Sequence, residues 1–503
     1  MPTDPRTPVI VGVGQVVNHP ISDDVSTWTE PLSLMTSALE RAAEDASGVP
    51  GRRSSLLDRI DQLNAIPSFT WHVHDPAHAV AQGLRVAPAS TRLAFAGGTT
   101  PQTLLFDAST RIAAGELDVA AIVGAEALRT RDLARRRDER VVWTEQDDKV
   151  SAAAVYGEVP NALTDHERSL GLAVPVHAYA LFEHALRRSR GQSRAEHLER
   201  LGRLAARMSA VASTNDDAWI RDAHAPEVIT TVSPTNRMVS LPYTKLLASN
   251  VAVDMGAAVI LCSLSAARAA GVPDANLVFP QAGAAAREQW FISERAELSR
   301  SLAMRACAER LFGAGARSFD AVSLLDLYSC FPAVVQMAGD ALGFDPWSDP
   351  RPPTVTGGMT FFGGPGNNYV THSLATMARR LRASPGATGL VTALGWYCST
   401  HAWGTYSSEP PRDGFRVHDV QAEVDAVPTR AVDNDFSGAG EVESYTVAYD
   451  RDGRPARAIV SVLTPAGARR LAMSEDVDVA EAIATDDPLG ASLVVADGSI
   501  SLV

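Results

Sequence analysis

The amino-acid sequence predicts a duplicated α/β body followed by a small all-β domain, and three observations carry that expectation. A helix-then-strand unit, Pro31–Ser47 followed by 58–66, returns much later as 297–312 followed by 319–327, with Asp320 where Asp61 stood. A supersecondary unit repeated at long separation points to a duplicated domain. The stretch between the copies, 129–250, is charged and helix-rich and reads as an insertion. After Ser408-Glu-Pro-Pro-Arg-Asp-Gly414 the pattern changes to short alternating runs, the period of half-buried strands.

Taken in chain order, residues 7–17 are an apolar opening strand, and Pro31–Ser47 places Leu32, Met35, Ala38, Leu39, Ala42 and Ala43 at helical spacing. Phe95-Ala-Gly-Gly-Thr-Thr-Pro-Gln102 is a glycine-rich turn leading into a helix over 103–114 that Gly115 closes. Thr100 suits its N-cap and Pro101 its first turn, and the free N–H groups of such a turn can hold an anion or oxyanion. Within the insertion, 166–190 and 194–214 read as helices. Three further strand-end loops follow: Asp326-Leu-Tyr-Ser-Cys-Phe-Pro332, the glycine-rich run 357–372, and Thr392-Ala-Leu-Gly-Trp-Tyr-Cys-Ser-Thr-His-Ala-Trp-Gly404. At the end, 442–449, 458–463 and 492–503 are strands, with Asp452-Gly453 and Asp497-Gly498 as hairpin turns, which suits a five-stranded barrel of OB type.

Composition narrows the function classes. The chain has 503 residues, 46% hydrophobic and 21% charged, with a formal net charge of −14. So acidic a chain repels phosphate backbones, and its basic run Arg135–Arg137 is flanked by Asp132 and Asp138, so nucleic acid is not an expected partner. Four scattered cysteines form neither a disulfide framework nor a CxxC metal site. A polar start, with no apolar run near the roughly 20 residues of a membrane span, suggests a cytoplasmic protein with neither signal peptide nor membrane segment. His72, His74 and His78 have ligand-like spacing, but a helix-leading loop accounts for them and no metal is expected. Gly12-Val-Gly14 lacks the third glycine of a dinucleotide fingerprint.

The ordered series of segments resembles the thiolase superfamily over roughly residues 7–408, most closely the branch near the sterol-carrier-protein-X thiolases. The run 103–127 is similar to the helix and strand after the thiolase nucleophile, and 247–259 to the segment closing the thiolase loop domain. The resemblance implies a five-layered αβαβα thiolase fold with an appended OB-like barrel. It divides the chain into a first half (1–128 and 251–265), a loop domain (129–250), a second half (266–408) and the β domain (409–503). It also implies coenzyme A, as thioester substrate or ligand, with no metal and no nicotinamide. Thiolases are mostly dimers or tetramers, although an appended barrel covering the dimer surface would leave a monomer.

The departures from the family pattern bear on chemistry. The thiolase cysteine falls on Gly98, beside Thr99 and Thr100; the Gly-His-Pro histidine falls on Gly364; and the Cys-x-Gly base corresponds to Gly395. These loops keep their oxyanion-binding backbone without a thiol, so a cysteine acyl-enzyme of the usual kind is not expected. Tyr328 and Tyr369 match the two tyrosines of thiolase-like aldolases that shorten steroid side chains, with His372 and His401 as a proton relay. Retro-aldol cleavage of a CoA thioester is therefore the first expectation. A catalytically degenerate acyl-CoA-binding protein is the second, and an acyltransferase using Cys330 or Cys398 the third. Arg207, Arg237 and Lys245 lie where thiolases hold the CoA phosphates, and Val251 stands for the pantetheine-contacting serine.

Overall fold

Two sheets built on one strand sequence face each other across a layer of helices. In the computed structural model, which describes residues 3–158, 161–313, 318–496 and 499–502, the first sheet runs Pro8–Asn18, Asp254–Ser263, Val119–Ala127, Gln62–Ala65, Ser90–Ala94 and Ala154–Tyr156. The second runs Phe279–Arg287, Thr400–Ser407, Thr388–Gly395 and Leu324–Asp326, with Arg416–Asp419 on its other edge. In each half the opening strand pairs antiparallel with the closing one, and a short strand pairs parallel with its neighbour. That short strand follows a 3-10 turn in both halves, Leu57–Arg59 and Phe319–Ala321, so the repeat expected from sequence is a true duplication.

Val119–Ala127 and Asp254–Ser263 are buried along their whole length because helices cover both faces of the sheet. Pro31–Ser47 covers the outside. It lies so close that a Cβ on Gly12 or Gly14 would strike the carbonyl oxygens of Ala42 and Ala38, which makes those glycines a packing device. Thr100–Ala114 and Tyr369–Arg382 fill the middle layer between the sheets.

Several element boundaries differ from the sequence expectation. The helix expected over 297–312 begins at Leu302, where the Ser301 hydroxyl accepts the Met304 N–H at 3.1 Å. The helix expected over 166–190 is split into Asp165–Ser169 and Pro175–Ser189, because Pro175 opens a new first turn.

The C-terminal sheet is antiparallel, in the order Arg469–Ser474, Pro455–Leu463, Gly438–Tyr449, Ser492–Ala496, Ser499–Leu502, and helix Val477–Asp486 connects Arg469–Ser474 to Ser492–Ala496. Its outer strands, Arg469–Ser474 and Ser499–Leu502, approach one another. The Asp452-Gly453 turn is present, with Gly453 at φ +81°, whereas Asp497-Gly498 lies outside the described residues. The sheet is fixed to the body through Arg469, which is fully buried. Its guanidinium pairs with Glu443 at 2.6 and 2.7 Å and donates to the carbonyl oxygens of Ser293 (3.0 Å) and Arg295. Burial pushes the Glu443 carboxyl up, but Arg469 and the Ser461 hydroxyl more than offset it and hold the pKa below the usual carboxylate value.

Replacing Arg469 by Ala should cost about 3–5 kcal/mol, because it strands a buried carboxylate. A group with a depressed folded-state pKa contributes stability above its unfolded value, about 4.3 for Glu, and loses it as pH falls through the folded value. The Tm gap between wild type and Arg469→Ala, followed by circular dichroism, should therefore be wide at pH 7 and shrink below about pH 4.

Candidate functional site

A cavity of about 1000 Å³ opens where the two halves meet the inserted segment. Its floor holds Gly98, Tyr328 and Leu394; its mouth holds Arg129, Arg136, Arg237 and Lys245, with Asp132 among them. Arg136 is partly engaged by Asp132 at 3.6 Å. Four cations against one carboxylate make this mouth electropositive on a chain of net charge −14, so it favours an anionic ligand.

Three glycines each face a hydroxyl from another element, and two of them, Gly98 and Gly364, line the cavity. A Cβ on Gly98 would run into the Tyr328 phenol oxygen and the Leu394 carbonyl. One on Gly364 would meet the Ser249 hydroxyl, and one on Gly395 the Thr400 hydroxyl, with Thr99 Oγ1 3.3 Å away. Thr99 and Thr400 hydrogen-bond each other at 3.1 Å, outside the cavity lining. Tyr328 is held by its N–H on Thr392 Oγ1 at 2.8 Å, but among the described residues no group hydrogen-bonds its hydroxyl. Burial, with Cys330 as a smaller contributor, raises its pKa, so the phenol stays protonated and serves as a donor rather than a base.

Tyr369 is placed differently from Tyr328, although their rings meet edge to face at 5.6 Å. Tyr369 is fully buried and does not line the cavity; its hydroxyl is engaged by Asp326 at 3.1 Å and Thr356 at 2.7 Å. The pair of phenols expected to share one pocket is thus divided, because Asp326 draws the second inward. His372 also lies away from the cavity. Its Nδ1–H donates to Gln15 at 2.8 Å, and burial lowers its pKa to about 3, so it is neutral. His401, whose pKa burial lowers to about 4, donates from Nε2 to the Cys398 carbonyl at 3.2 Å, again off the lining. Neither imidazole reaches Tyr328 as a relay.

Of the two cysteines, Cys330 lines the cavity and Cys398 does not. Burial pushes both thiols up, Cys398 to about 12, so neither is held as a thiolate. Of the three basic residues expected at the phosphates, Arg237 and Lys245 line the mouth. Arg207 does not: its guanidinium is committed to the carbonyl oxygens of Pro346 (2.7 Å), Asp349 (2.5 Å) and Arg351 (3.2 Å). Val251 is exposed on the lining, and Ser249 lines it too, its hydroxyl buried and with no hydrogen-bond partner among the described residues. No group of three or more His, Cys, Asp or Glu among the described residues is arranged to hold a metal.

The C-terminal sheet falls within a family model described as the thiolase-like protein type 1 additional C-terminal domain, matched over residues 419–499. Over the whole chain, a monomeric SCP2-thiolase-like protein type 1 from Mycobacterium smegmatis is 31% identical, with a TM-score of 0.81, covering 99% of this chain and 98% of that one. The chain belongs to the thiolase superfamily. Two remoter superfamily structures share the fold alone. An Ltp2–ChsH2(DUF35) aldolase is 18% identical (TM-score 0.58, covering 80% of this chain and 99% of that one). The dimeric peroxisomal thiolase of Saccharomyces cerevisiae is 13% identical (TM-score 0.55, covering 81% and 99%). No curated protein matches the chain.

For this thiolase-like chain, sequence reasoning missed Ser249, Arg129 and Arg136, all on the cavity. It also missed Asp326, whose only signal was its place at the head of the Asp326–Pro332 motif.

The two tyrosines should separate by mutation. Tyr369→Phe deprives the buried Asp326 of a donor and should cost about 1–3 kcal/mol. Tyr328→Phe removes no protein hydrogen bond and should leave the denaturant midpoint within about 0.5 kcal/mol of wild type.

Proposed function

We propose that the chain binds a coenzyme A thioester in this cavity without forming an acyl-enzyme at the position of the thiolase cysteine. The observation that carries the reading is the floor: the space a nucleophile at residue 98 would need is taken by the Tyr328 phenol and the Leu394 carbonyl, while the cavity above stays open. The cationic mouth suits the phosphates of coenzyme A, with Arg129, Arg136, Arg237 and Lys245 of the inserted segment as counter-charges. Acyl transfer through Cys330 has little support, since that thiol is protonated and no base faces it among the described residues.

A second reading, carbon–carbon cleavage of a β-hydroxyacyl thioester, is favoured by one feature, the unpartnered Tyr328 hydroxyl on the floor. There it would donate to a thioester oxygen as enolate character develops. The base for the β-hydroxyl would have to come from elsewhere, because Tyr369, His372 and His401 all face inward.

The chain is also proposed to be a monomer, as the M. smegmatis relative is described. Its own strand Ala154–Tyr156 pairs with Ser90–Ala94 and so covers that edge of the first sheet.

Isothermal titration with CoA and acetyl-CoA should give saturable binding, weakened about 10-fold or more (about 1.4 kcal/mol) by Arg237→Ala with Lys245→Ala. Absence of binding would reject the reading. Intact-mass analysis after incubation with acetyl-CoA should show no acyl adduct. Turnover of a β-hydroxyacyl-CoA, lost in Tyr328→Phe with thioester binding retained, would favour cleavage over binding alone. Sedimentation should give a single-chain mass, and a dimer would remove the oligomeric proposal.

A further inference from the structure

Beside the cavity floor, the loop after strand Thr388–Gly395 holds two non-glycine residues in the left-handed region, Trp396 at φ +56° and Cys398 at φ +62°. A bulky residue there is disfavoured and persists only where its surroundings over-determine the backbone. They do so here. The Tyr179 hydroxyl donates to the Trp396 carbonyl at 2.8 Å and accepts the Cys398 N–H at 3.0 Å, spanning both strained residues with one group. The Tyr397 hydroxyl donates to the Ala173 carbonyl at 2.9 Å, and Arg295 donates to the Tyr397 carbonyl at 2.6 Å.

What the strain achieves is the placement of an indole. Trp396 is 38% exposed and lines the cavity, while its neighbours Tyr397 and Cys398 are buried. A Cβ built on Gly97 would stand 3.5 Å from the indole Nε1, so the ring lies against the same glycine turn whose next residue faces Tyr328. A large apolar ring held out of the core by a strained and clamped backbone, next to the floor, is a wall.

The geometry points to Trp396 as a specificity-determining residue whose indole limits the acyl group able to reach Tyr328, with Tyr179 as its positioning residue. This rests on the coenzyme A reading above. It assigns the chain to short acyl thioesters, and the indole turns longer unbranched ones away.

Trp396→Gly tests it cleanly, because glycine accepts a positive φ at no steric cost and the variant should fold at least as stably as wild type. Titrations with CoA, acetyl-CoA and octanoyl-CoA should show CoA affinity unchanged within about 2-fold, while the octanoyl-to-acetyl affinity ratio rises about 10-fold or more. Trp396→Asn, the other residue tolerant of this region, should move the ratio the same way. Tyr179→Phe should raise it too, by freeing the loop, whereas a merely structural tyrosine would change Tm and leave the ratio alone. An unchanged ratio in both Trp396 variants, with CoA still bound, would overturn the assignment and leave the coenzyme A reading standing. Failure of CoA to bind wild type would remove both.

Discussion

On the fully buried carboxylate of Asp326 six donors converge: the backbone N–H groups of Val355 and Thr356 and the hydroxyls of Thr354, Thr356, Tyr369 and Ser373. Burial alone drives this carboxyl up, and the hydroxyl and backbone donors pull it back without fully offsetting it. The donors come from two elements, the turn before Gly357 and helix Tyr369–Arg382, and tie both to the end of strand Leu324–Asp326, making three elements in all. Losing any one donor costs the desolvation of what it leaves unpaired, so the three elements hold a single relative position. Tyr328 is only two residues from that anchor, and the turn it fixes continues to Met359 and Thr360 on the cavity wall.

Because that arrangement is fixed, the floor has the same character throughout. Gly98 and Gly364 each have a hydroxyl from elsewhere against them, Tyr328 and Ser249, and off the lining Gly395 has Thr400. Hydroxyls of this kind donate and accept hydrogen bonds but do not form thioester intermediates without a base beside them. The imidazoles of His372 and His401 are neutral and turned toward the core, and His19 is the imidazole on the cavity lining. The floor therefore offers a protonated phenol as a donor, beneath a cationic mouth.

The inserted segment is joined to the C-terminal sheet by strand pairing, and that sheet to the body by a buried arginine. Ser240 of the inserted hairpin pairs with Ala448, while Arg469 reaches into the second half at Ser293 and Arg295. The segment supplying Arg237 and Lys245 is thereby braced from behind by the β domain. Docking of that domain and the shape of the cavity mouth are physically coupled.

Local pattern by itself determined a good deal. The duplicated helix-then-strand unit, the helix Pro31–Ser47 and the switch to short alternating strands are all set by the spacing of apolar residues, which acts within a few turns of chain. The glycine-rich turn holding Gly98 was likewise readable without coordinates. What only the tertiary structure decided is where side chains of equal chemistry point. Tyr328 and Tyr369 are both strand-end phenols in sequence, yet one faces the cavity and the other a carboxylate 43 positions earlier in the chain. Arg207 and Arg237 are both arginines of the insertion, yet one is consumed by three carbonyl oxygens. Such choices depend on partners far away in sequence, and burial makes each partner compulsory, since a polar group out of water must find one.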